Sequence, residues 1–118
     1  MMKDLRNIFH KEITLFSDKW DPYFDVYERY FHKFIEKETT LVEVGVQGGG
    51  SLQMWRKYFG DKTRIIGVDC DTSVLRHLNH YDDNTEIRIG DQSSEEFWIE
   101  FLKTVPNIDI FIDDGSHR

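Results

Sequence analysis

From residue 40 onward the chain alternates short apolar runs with amphipathic stretches, and each run ends at an acid or a glycine turn. The runs are Thr40–Val46, Arg64–Asp69, Glu86–Ile89 and Ile108–Ile112. Runs of this length, rich in Val and Ile, read as buried strands. Helices are expected between them. The first starts at Gly50-Ser51, carries Leu52, Trp55 and Phe59 on one face and ends at Gly60-Asp61. A second is capped by Asp71 or Thr72, with Val74, Leu75 and Leu78 inward. A third is capped by Ser93 or Ser94, with Glu96 placed for a capping box with Ser93. Its apolar stripe is Trp98, Phe101, Leu102 and Val105. Strands alternating with helices predict an α/β fold, a Rossmann-like parallel sheet flanked by helices.

The segment before this pattern reads differently. Asp21-Pro22 makes a helix start, with Phe24, Tyr27, Phe31 and Phe34 following at helical spacing. An aromatic helix over residues 22–37 is expected, whereas the first twenty residues show no clear period. The division expected is therefore a helical lead-in over 1–38 and a partial Rossmann-like domain over 39–118.

Bulk properties narrow the partners. The formal charge of −7 argues against nucleic acid, which needs clustered Lys and Arg. No apolar run approaches the ~20 residues of a membrane span, and residues 1–6 lack the apolar core of a signal peptide. Cys70 is the single cysteine, so no internal disulfide forms and a cytoplasmic setting is expected.

In parallel α/β sheets, ligands bind beyond the carboxyl ends of the strands. The polar clusters of this chain fall at such ends. Leu41-Val42-Glu43-Val44-Gly45-Val46-Gln47-Gly48-Gly49-Gly50-Ser51 runs from a strand through a glycine-rich turn into a helix. Glycines let backbone approach a ligand closely, and Glu43 can accept hydrogen bonds from a cationic or hydroxylated group. A dinucleotide fingerprint would need glycine where Gln47 stands. Asp69 ends the second strand, where an acid binds both hydroxyls of a ribose or caps a helix. Gly90-Asp91-Gln92 ends the third. Asp91 there accepts from the exocyclic amine of a purine or serves only the turn. Asp113-Asp114-Gly115-Ser116-His117 follows the fourth. Its carboxylates suit a hard cation such as Mg²⁺, and its histidine suits a general base near neutral pH. The plain alternative is a solvated turn. His77 and His80, spaced like helix neighbours, show no strong ligand partner, and Cys70 reads as structural.

These segments resemble a known group. Glu43-x-Gly45, Gly67-Val68-Asp69, Gly90-Asp91 and Ile112-Asp113-Asp114 look like the class I S-adenosylmethionine-dependent methyltransferases. Val44 to Trp55 with its Gln47-bearing turn, Gly90-Asp91-Gln92-Ser93 and Asp113 to His117 resemble one branch more closely. That branch holds the macrocin- and mycinamicin-type sugar O-methyltransferases and their cephalosporin hydroxylase-like relatives. The aromatic segment Lys19 to Arg29 also looks like its lead-in. The resemblance implies that the turn Gly45 to Gly49, Gln47 included, surrounds the methionine part of S-adenosylmethionine, with Glu43 near the amino group. It implies Asp69 on the ribose, Asp91 with Gln92 at the adenine, Asp114 on Mg²⁺, and His117 as the base that deprotonates a sugar hydroxyl. Tyr27, Glu28 and Tyr30 are weaker candidates on the acceptor side, where a small-molecule or glycan substrate is expected. A competing reading is an NAD-dependent oxidoreductase, and a third is a non-catalytic nucleoside-binding remnant.

The resemblance also carries an expectation about extent. Such enzymes have seven strands where this sequence shows four, so an N-terminal portion of a longer methyltransferase is expected, marginally stable and weakly active alone. Strand 108–112 would then be an uncovered apolar edge, open to self-association.

Overall fold

The computed structural model describes residues 4–11, 21–46 and 48–113. Its elements run α1 (Leu5–Lys11), α2 (Asp21–Phe31), β1 (Thr40–Val44), α3 (Gly50–Phe59), β2 (Arg64–Asp69), β3 (Thr85–Ile89), α4 (Glu95–Thr104) and β4 (Ile110–Asp113). Short 3-10 segments at His32–Phe34 and Thr72–His80 complete them. The four strands form one sheet in the order β3-β2-β1-β4, and every pairing is parallel. β1 runs down the middle, with Val44 in register with Val68 on one side and Asp113 on the other.

Strand alternation sorts the core into two layers. Leu41, Ile65, Ile110 and Ile112 face α3 and pack with Leu52, Trp55 and Phe59. Val42, Val44, Ile66 and Val68 face the other way, onto Phe101 and Val105 beside α4. Two-sided burial explains the near-continuous apolar strands.

Several local expectations are corrected. The aromatic helix ends at Phe31, with 3-10 geometry to Phe34, rather than continuing to residue 37. Glu36 turns the chain there with φ 58°, and its N–H donates to Phe59 O (2.7 Å) at the end of α3. The turn that stops the lead-in thus also ties off α3. The segment after β2 is 3-10, not an α-helix. With about three residues per turn, Val74 and His77 align and are buried, while Leu75 and Leu78 are exposed. Asp71 is its cap, accepting from Ser73 N (2.9 Å), a bond that holds its carboxyl below the usual range. Ser94, not Ser93, caps α4 by accepting from Phe97 N (3.2 Å), so no capping box with Glu96 forms. Leu102 lies exposed, outside the buried stripe.

α1 was not legible as a helix in the sequence. Asp4 accepts from Asn7 N (3.2 Å) at its start, and a Glu28 carboxylate oxygen accepts from Leu5 N. Leu5 and Ile8, one turn apart, are buried in the α3 layer.

Candidate functional site

The carboxyl ends of β1, β2 and β3 enclose a cavity of about 220 Å³ lined by Val44, Gly45, Val68, Asp69, Cys70, Gly90, Asp91 and Gln92. Three separate strand ends supply it, as the sheet topology predicts. Val44 and Val68 give an apolar floor, and the polar groups stand at the rim.

Gly45 leaves β1 with φ 96°, a region that disfavours any residue with a Cβ, and its N–H donates to Val68 O (2.7 Å). Asp69 is buried, and its carboxylate reaches both ways. Oδ2 accepts from Val46 N (2.9 Å), and Oδ1 accepts from Asp71 N (3.0 Å). These two bonds tie Asp69 to the turn after β1 and to the segment after β2, at the wall of the cavity. Asp91 stands exposed at the third corner. The Ser93 hydroxyl and N–H both donate to its Oδ1 (2.7 and 2.9 Å), and these bonds hold the carboxyl below the usual carboxylate range. Gln92 is fixed beside it because Trp98 Nε1 donates to its carbonyl (2.8 Å). Gly90 has a packing reason to be glycine. A Cβ there would sit 2.1 Å from the Phe97 ring.

Two residues expected at the ligand do not line this cavity. Glu43 shares the α3-facing register of β1 and is 0% exposed. Its Oε1 accepts from Trp55 Nε1 (2.9 Å) and from the Ser51 hydroxyl. It anchors the start of α3 to β1 and does not line the cavity. Gly49 is buried as the residue before α3, with φ 88°. A Cβ there would lie 2.5 Å from Tyr81 Oη and 2.9 Å from His77 Cδ2, so packing alone accounts for glycine.

Two of the three acceptor-side candidates hold structural posts. Tyr27 packs edge-on to Trp55 (5.3 Å between centroids) and stacks on Phe31. Glu28 supports the start of α1, and Tyr30 is 60% exposed. None of the three lines the cavity. Cys70, read from sequence as structural, is instead exposed on the cavity wall. Its place one residue past a strand-ending acid was the available signal.

Gln47, Asp114 and His117 lie outside the described residues. β4 delivers the chain to that last segment at Asp113, in register with Val44 on the cavity floor. Among the described residues no group of three or more His, Cys, Asp or Glu is placed to hold a metal. Nor is any of their helices long and apolar enough to cross a membrane.

Parallel strands, a glycine turn, an acid ending β2 and a polar corner ending β3 define a Rossmann-like methyltransferase fold. Comparison with known proteins narrows the class. The chain is 36% identical over 110 residues to 8-demethyl-8-alpha-L-rhamnosyl tetracenomycin-C 2'-O-methyltransferase of Streptomyces olivaceus, covering 86% of this chain and 28% of that protein. It is 34% identical over 102 residues to mycinamicin VI 2''-O-methyltransferase of Micromonospora griseorubida, covering 77% and 23%. The MycE methyltransferase of the mycinamycin pathway, solved with Mg, SAH and mycinamycin VI, superposes with a TM-score of 0.73 at 30% identity. That match covers 98% of this chain and 29% of MycE. No protein-family profile matches the sequence. The chain is similar to a part of these sugar O-methyltransferases, and it spans between about a quarter and three tenths of the length of the relatives named.

Proposed function

We propose that this chain carries the cofactor half of an S-adenosylmethionine-dependent O-methyltransferase acting on a sugar hydroxyl of a glycoside or polysaccharide, with Mg²⁺ or a similar cation assisting. The observation that carries this reading is the cavity at the ends of β1, β2 and β3, with Asp69, Asp91 and Gln92 on its wall. The donor chemistry suits a nucleoside. Asp69 would accept from the ribose hydroxyls. Asp91 or the Gln92 amide meets the edge of adenine, and the turn at Gly45 gives the methionine part access to backbone.

S-Adenosylmethionine, when bound, supplies a sulfonium methyl group for in-line transfer to an oxygen. The protein's part is to hold the reacting groups close and aligned, which replaces a bimolecular encounter by a positioned one. In this reading His117 takes the proton from the sugar hydroxyl. Asp114 holds the cation that stabilises the developing negative charge on oxygen. Both roles rest on the resemblance of the Asp113 to His117 segment. Glu43 is reassigned from touching the ligand to fixing the turn that touches it. Residues 1–38 serve as a helical lead-in to the cofactor domain at 39–118, and the setting is cytoplasmic. NAD is disfavoured by Gln47 at the central position of the dinucleotide turn.

The test is methyl transfer from S-adenosylmethionine to a rhamnosyl or macrolide glycoside in the presence of Mg²⁺. His117→Ala and Asp114→Ala are expected to lose activity by on the order of 100-fold or more. Unchanged turnover in either variant removes that residue from the mechanism.

A further inference from the structure

The turn that leaves β1 is held at two points by one stretch of chain. At its near end Val46 N donates to Asp69 Oδ2 (2.9 Å). At its far end Tyr81 Oη donates to Gly49 O (2.9 Å). Asp69 and Tyr81 bracket the 3-10 segment Thr72–His80. Only Gln47 and Gly48 lie between the two tethered residues. The far tether is partly buried. Gly49 is buried, His77 packs against it, and a Cβ on residue 49 would collide with both rings. Gly49 is thus kept by Tyr81 and His77.

We infer that Tyr81 is a positioning residue for the cofactor. Its phenol fixes the carbonyl of Gly49, while Asp69 holds Val46 N at the other end of the turn. A change in the segment after β2 is then felt at both the ribose end and the methionine end of the site. Tyr81 touches no reacting atom; it acts through the turn.

The ligand side of this inference rests on the methyl-donor reading, whereas the loop side does not. Tyr81→Phe keeps the ring and deletes the donor, and Tyr58→Phe, in the core away from the turn, serves as control. Amide hydrogen exchange on the ligand-free protein reads the loop. Tyr81→Phe is expected to speed exchange at residues 46–50 by about fivefold, the usual worth of one buried hydrogen bond, with α4 unchanged. Titration with S-adenosylhomocysteine reads the ligand. The expected result is an affinity about fivefold weaker in Tyr81→Phe and unchanged in Tyr58→Phe, after matching for melting temperature. Unaltered exchange at 46–50 overturns the inference whatever the titration gives. So does faster exchange spread evenly over the chain, which marks a merely structural tyrosine. If exchange changes as expected but the wild type binds no S-adenosylhomocysteine, the loop assignment stands and the methyl-donor reading falls.

Discussion

Glu43 shows how a side chain of the right type near a ligand turn can serve the turn instead. The sequence places an acid two positions before Gly45, and chemistry alone suits it to an ammonium group. Alternation along β1 decides otherwise. Leu41 and Glu43 share the α3 face, while Val42 and Val44 face α4. Ser51 and Trp55, one turn apart on α3, then meet the carboxylate. Asp69 was legible as the acid that ends β2, and the structure places it on the cavity wall. Its hold on Val46 N was not, because that bond depends on where the turn folds back. Glu43→Leu is expected to cost about 3 kcal/mol in denaturant unfolding, since it strands two buried donors. Glu43→Gln is expected to cost less, because its amide oxygen still accepts. Equal stability of wild type and Glu43→Leu would show that the anchor contributes nothing.

At the scale of elements, long runs with one period were readable and short ones were not. β2 matches its expected span, Arg64–Asp69, and α3 runs from Gly50 to the residue before Gly60, as read. Both are bounded by residues with a local reason to stop. The segment at Thr72–His80 misled because leucines at positions 75 and 78 suggested an α-helical face, whereas 3-10 geometry turned His77 inward. α1 escaped because a seven-residue helix with two buried core residues, Leu5 and Ile8, is too short for a period to show. Packing of α2 on α3 has a titratable signature. Burial, and then the charge of Glu28, push the Tyr58 hydroxyl from 10.0 to about 12. A raised pKa means that the folded state holds the proton more tightly than the unfolded state. That stability is fully present below pH 10 and is lost as pH rises towards about 12. Unfolding midpoints are therefore expected to fall across that window in wild type, and less in Tyr58→Phe. Parallel curves for the two proteins would contradict this.

At the scale of the whole molecule, β3 and β4 are the two edges of the sheet among the described residues. β4 pairs with β1 along one edge, and among the described residues no strand lies on its other edge. Phe111 is 52% exposed on this strand, with Ile99 and Leu102 exposed on the neighbouring helix α4. An apolar edge of this kind invites pairing. The 118-residue chain is expected to associate with rising concentration in sedimentation velocity, and Phe111→Lys to reduce that association. A wild type that stays monomeric throughout would contradict it. The parallel sheet and the place of the cavity were legible because both follow from alternation of strand and helix. Tyr27 and Glu28 pack in the helical layer, Tyr30 is exposed, and none of the three lines this cavity.

The central claim is that the cavity at the ends of β1, β2 and β3 holds S-adenosylmethionine through Asp69. Calorimetric titration of the protein with S-adenosylhomocysteine and, separately, with NAD tests it most directly. The account predicts one-to-one binding of S-adenosylhomocysteine, no comparable binding of NAD, and an affinity weakened on the order of 100-fold in Asp69→Ala. Binding of NAD in preference, or S-adenosylhomocysteine binding that Asp69→Ala leaves unchanged, would contradict it.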